Sequence, residues 1–99
     1  MAKVVWLAAA LDDLDAIARY IAADSPRYAA SVVQAVKAAS RDLRRFRRMG
    51  PVVPEWDDDS YRQRIIYSYR MIYRIRGKRV EILAVTRGAR LLPEDLRSR

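Results

Sequence analysis

Residues 69–90, YRMIYRIRGKRVEILAVTRGAR, read as two strands, 69–76 and 79–86, joined by Gly77-Lys78 as a two-residue hairpin turn. β-Branched and aromatic side chains dominate both runs, as a half-buried pleated surface demands. Alternation assigns Arg70, Ile72, Arg74 and Arg76 to one side of the first strand, and Met71, Tyr73 and Ile75 to the other. The second group is expected to meet the core. The first is expected to line an open, basic face.

Just upstream, YRQRIIY (61–67) reads as a third strand, set off from the hairpin by a tight bend at Ser68. Residues 49–60 form a loop, because Gly50, Pro51 and Pro54 break regular structure. Asp57, Asp58 and Asp59 make an acidic knot in it. Three successive carboxylates raise the question of a divalent metal, but nothing else stands at ligand spacing, so no metal is expected. A solvated loop that pairs with nearby arginines is the simpler expectation, with Trp56 as its anchor.

At the other end, KVVWL (3–7) reads as a short strand that carries Trp6 into the core. Residues 8–23 then turn helical, with Leu11, Leu14, Ile17, Ala18 and Ile21 on one face. Asp12, Asp13 and Asp15 sit near the start, where the helix dipole favours negative charge. Asp24-Ser25-Pro26 stops this helix and starts another, Ser25 as cap and Pro26 as first residue. The second helix is expected to reach about Arg47, with a stripe of Ala29, Val32, Val36, Ala39, Leu43 and Phe46. The short break makes the pair an antiparallel hairpin. Arg41, Arg44, Arg45, Arg47 and Arg48 cluster at its end. They serve either the helix dipole or a contact.

The order β-α-α-β-β-β implies an α+β fold. A mainly antiparallel four-stranded sheet carries the N-terminal helical hairpin on one face. The 99 residues suit a single domain. There is no cysteine and no histidine, which removes thiolate chemistry, the usual general base and the usual metal ligand. No cofactor is implied. No apolar run is long enough to cross a membrane, and the first ten residues are too short and weakly basic for a signal peptide, so a cytoplasmic protein without membrane contacts is expected. The net charge of +8 is uneven: residues 1–60 hold nine Lys/Arg against nine Asp/Glu, and residues 61–99 hold eleven against three. The C-terminal half is therefore expected to meet a polyanionic or acidic partner.

The chain resembles the RelE/ParE superfamily of toxins from type II toxin–antitoxin modules along nearly its whole length, and is closest to the ParE-like branch. VVWLAAALDDLDAIARYIAADSPRYAA resembles the ParE-type opening of strand, DL-x-x-I-x-x-YIA helix and S/N-P restart. GPVVPE (50–55) is similar to the family's G-x-x-x-PE loop. RQRIIYSYRMIYRIRGKRVEILAVTRGAR resembles its R-x-x-x-x-x-YRIIYRI hairpin, which ends in V-x-H-G-x-R. The resemblance implies a cognate antitoxin, ParD-like or related, whose C-terminal segment covers the helical hairpin and part of the sheet.

Within the superfamily, ParE-like members inhibit DNA gyrase, whereas RelE-like members cleave messenger RNA on the ribosome. By resemblance, Arg70 matches the arginine that contacts the scissile phosphate in RNase members, and Arg90 the later strand-end arginine. Glu55 stands where some relatives carry a general base. Thr86 or Arg87 replaces a frequent histidine, and no tyrosine follows Tyr73. Arginine is a poor proton acceptor at neutral pH. The resemblance therefore implies a gyrase inhibitor with Arg64, Arg70, Arg87 and Arg90 as target-binding residues. The alternative is an endoribonuclease using Arg70, Arg90 and Glu55, and a further one is a basic nucleic-acid-binding module. Arg76 and Arg79 are expected only to solvate the hairpin turn.

Overall fold

In the computed structural model, which describes residues 1–99, the chain runs β1 (Lys3–Trp6), α1 (Ala8–Ala22), α2 (Pro26–Asp42), β2 (Tyr61–Ile66), β3 (Tyr69–Arg76) and β4 (Arg79–Arg87). A 3₁₀ turn over Glu94–Ser98 follows. The strands form one sheet in the order β1-β4-β3-β2. β2–β3 and β3–β4 are antiparallel, while β1 returns to pair with β4 in parallel. The hairpin turn works as read: Gly77 takes a φ of 58°, which costs a residue without Cβ little. No helix is long and apolar enough to cross a membrane.

The helical hairpin packs on one face of the sheet. Ser25 Oγ accepts from the Tyr28 N–H at 3.1 Å and caps α2, with Pro26 as its first residue. Leu14 and Ile21 of α1, and Val32, Val36, Ala39 and Leu43 of the second helix and its cap, join Met71, Tyr73, Val80 and Ile82 in the main core. α2 ends at Asp42, short of the expected Arg47, and Phe46 is exposed rather than part of the stripe. The carbonyls beyond the helix end are taken by the sheet: Arg44 by the Ala2 N–H, Arg47 by the Tyr73 hydroxyl, Arg48 by Arg62. Those partners replace the helical bonds that another turn would have made.

The other face is not open, as the alternation had suggested. Val53 and Trp56 from the 43–60 loop, with Leu92 and Leu96 from the C-terminal segment, close over Ile72, Leu83 and Ala84 as a second, smaller core. The register shifts at Ile72/Tyr73, where Ile72 pairs with Ala84 but Tyr73 with Ile82. Leu83 is the extra residue of a β-bulge. Leu83 and Ala84 therefore both belong to the smaller core, and Val85 returns to the helix side.

Candidate functional site

The bulge also decides where the arginines go. Beyond it, Thr86 pairs with Arg70 and Arg87 with Tyr69, so Arg87 shares the helix side with Tyr69 and Val85. Its guanidinium sits over the Tyr20 ring of α1, 5.1 Å from the centroid. Arg70 lies on the opposite face, under the smaller core's rim. Arg64 points to the helices and donates to the Ala39 carbonyl and to Asp42 Oδ2, each at 3.1 Å. The four arginines expected to form one surface are thus divided. Arg64 holds the C-terminal end of α2, Arg70 is internal, and Arg87 and Arg90 alone line an exposed cleft.

Arg70 is buried and fully engaged. Its two terminal nitrogens donate to both oxygens of Glu55 at 2.8 and 2.9 Å, and its Nε donates to Gln63 Oε1 at 2.9 Å. The hydrogen bonds from Arg70 hold the Glu55 carboxyl down to about 2, against an ordinary 4.5. A carboxylate with so low a proton affinity is a counter-ion more than a base. Glu55 is the carboxylate that the endoribonuclease alternative would use as general base, and this geometry engages it in the 43–60 loop's closure over the sheet instead. The pairing stabilises the folded chain above the ordinary carboxyl value and loses that contribution as pH falls from about 4.5 toward 2. Glu55→Gln is expected to cost about 1–3 kcal/mol at neutral pH, the side chain being partly solvated, and almost nothing near pH 2. Urea unfolding of both proteins at several pH values reads the convergence.

The remaining basic face is neutralised in the same way. Arg74 donates through Nε and Nη2 to Glu81 Oε1 at 2.8 and 2.6 Å, and Arg76 and Arg79 pair with the same carboxylate. Arg62 is buried and serves as a staple, donating to the carbonyls of Arg48, Gly50 and Asp59 and to Asp59 Oδ1. The acidic knot is tethered as expected, Asp58 to Arg97 and Asp59 to Arg48 and Arg62.

What stays exposed is a cleft of about 560 Å³ where β4 leaves the sheet, lined by Thr86, Arg87, Arg90 and Arg99 with Asp13 and Asp95. β1 covers β4 only as far as Ile82, so the edge beyond needs other partners. Asp13 of α1 accepts from the Val85 N–H at 3.2 Å, and Arg99 donates to the Leu83 carbonyl at 3.0 Å and to Asp13 at 2.8 Å. Arg87 and Arg90 make no ion pair. Gln63, Tyr20 and Arg99 were not picked out from sequence, and Asp13, read there as a helix-dipole charge, lies beyond the first turn of α1 and serves the sheet edge instead. Gln63 pairs with Ile72 and so lies diagonal to Arg70 on the same face, a register that the sequence pattern alone does not define.

A family model described as the ParE toxin of type II toxin–antitoxin systems, parDE, matches residues 4–92. The chain belongs to the ParE toxin family. A solved structure described as the chromosomal ParDE TA system from P. aeruginosa is similar, with a TM-score of 0.71 at 26% identity, over 88% of this chain and 96% of that one. No curated protein matches the chain. A ParE-family toxin is one half of a two-component module, and its partner is the cognate antitoxin. The helices-then-sheet architecture found here is that of the family.

Proposed function

We propose that this ParE-family toxin arrests growth by binding DNA gyrase and blocking it, with Arg87 and Arg90 as the main target-binding residues. The observation that carries this reading is the bidentate Glu55–Arg70 pair. It engages at once the carboxylate and the phosphate-binding arginine that RNA cleavage would need, which favours a surface that binds over one that performs proton transfer. Arg87 and Arg90 offer exposed cations on a stiff strand end, and interface arginines are frequent hot spots. Arg64 and Arg70 are engaged within the fold, Arg64 at the end of α2 and Arg70 with Glu55, and serve as framework. The proposed antitoxin is of the ParD type, docking on the small-residue groove between α1 and α2 lined by Ala18, Ala22, Ala29, Ala30 and Val33.

Purified toxin should inhibit gyrase supercoiling or trap its cleaved complex with DNA. Arg87→Glu/Arg90→Glu should weaken that inhibition at least about 100-fold, two hot-spot side chains being reversed in charge. No effect of saturating toxin on gyrase, or cleaved transcripts during growth arrest, would overturn the reading in favour of the ribosome-dependent endoribonuclease.

A further inference from the structure

The formal charge excess of the C-terminal half is largely spent inside the fold. Ten of the twenty Lys and Arg side chains form ion pairs, and eight of those ten lie in residues 61–99. Of the cations left free, six gather at one end of the molecule: Lys3, Lys37, Arg41, Arg44, Arg45 and Lys78. All six residues are exposed. Two backbone bonds fix their proximity. The Ala2 N–H donates to the Arg44 carbonyl and the Lys3 N–H to the Lys78 carbonyl, both at 2.8 Å. Lys37, Arg41 and Arg44 line a shallow cleft of about 290 Å³ beside Val4 and Trp6, whose indole N–H donates to Ser40 Oγ at 3.2 Å.

The helix dipole does not account for this group. Only Arg41 lies in the last turn of α2, Lys37 is a turn earlier, Lys3 belongs to β1 and Lys78 to the turn between β3 and β4. The carboxylates of the same region are already committed, Asp42 to Arg64 and Glu81 to Arg74, Arg76 and Arg79. Six like charges held together without counter-ions repel one another, and a polyanion relieves that repulsion. The patch is also distant from the proposed target surface. Lys78 immediately precedes β4 and Arg87 ends it, nine residue steps away, or roughly 30 Å at ~3.3 Å per residue.

We infer that this patch binds the phosphodiester backbone of duplex nucleic acid without reading its sequence. The chain has no asparagine and its two glutamines, Gln34 and Gln63, lie outside the patch, so the usual amide readers of base edges are missing there. Lysine and arginine alone are what backbone contact requires. An acidic peptide added to the open edge of β1 is disfavoured, because the Arg44 carbonyl already occupies that edge at Ala2.

The test is fluorescence anisotropy of a labelled 20-base-pair DNA duplex with the full chain between 50 and 200 mM salt. If about five phosphates are neutralised, affinity should fall about 500-fold across that range. Lys37→Gln/Arg41→Gln/Arg44→Gln should weaken binding at 50 mM salt more than 10-fold and flatten the salt dependence. Lys3→Gln/Lys78→Gln should flatten it by a smaller step, and Arg87→Gln/Arg90→Gln should leave it steep. Circular dichroism melts establish that each variant is folded. Absence of DNA binding at 50 mM salt, an unchanged salt slope in the folded triple and double variants, or tighter binding of polyglutamate than of DNA would each overturn the inference. Gyrase inhibition by wild type is a separate measurement and does not bear on this outcome.

Discussion

Arg70→Met is expected to lose about 2–4 kcal/mol of folding stability, a large share of the 5–15 kcal/mol that holds a domain of this size together. The substitution removes three donors from a buried position and leaves Glu55 and Gln63 facing an apolar side chain. Breaking one partner of a buried pair normally costs about 3–5 kcal/mol, and the partial exposure of Glu55 moves the expectation down. Removing both charges together, in Arg70→Met/Glu55→Leu, should recover most of the loss, because no unpaired carboxylate remains. Urea unfolding of the three proteins decides it. If the single variant is as stable as wild type, the pair is not what holds the 43–60 loop against the sheet. The comparison also separates folding from function: a stable double variant that still arrests growth would mean that Arg70 acts as framework, not contact.

Gly50→Ala is expected to be at least as damaging, at about 3 kcal/mol or more, which for a domain of this size lowers Tm by roughly 12–24 °C. A Cβ at this position would collide with the Gln63 carbonyl and stand 2.9 Å from the Tyr73 hydroxyl. Neither neighbour can give way cheaply. Gln63 belongs to β2, and the Tyr73 hydroxyl is buried between two bonds, donating to the Arg47 carbonyl at 2.8 Å and accepting from the Gly50 N–H at 3.1 Å. Burial pushes the Tyr73 phenol above its ordinary value, so it stays neutral and keeps both bonds across the physiological range. Arg62 donates to the Gly50 carbonyl from the same region, so the collision would strain the staple too. Thermal melts with toxin and antitoxin co-purified, and with toxin alone, measure the effect. An unchanged Tm would mean that the loop moves freely off β2.

The sequence made the regular elements legible because they carry period. Alternation placed Met71 and Tyr73 in the main core, and Asp24-Ser25-Pro26 marked the break between the helices. The smaller core was invisible for the opposite reason. Its cover is Val53, Trp56, Leu92 and Leu96, isolated apolar residues in irregular segments that show no repeat. With that cover unseen, Arg70 and Arg74 read as solvent-facing cations, when in fact each has a carboxylate supplied by the fold. The end of α2 was placed too late because the arginine run continues helical in composition, while the partners that end it come from Ala2, Arg62 and Tyr73, far away in sequence. The family was legible through order and spacing, and Arg87 and Arg90 are the part of the expected site that remains accessible.

The extra residue in β4 sets the phase of everything after it. Without Leu83 as a bulge, strict alternation from Val80 would place Thr86 toward the helices and Arg87 beside Arg70, beneath the smaller core's rim. One residue of length thus acts as a parity switch: it keeps Arg87 off the face where Arg70 of β3 meets Glu55 and sends it to the open side above Tyr20.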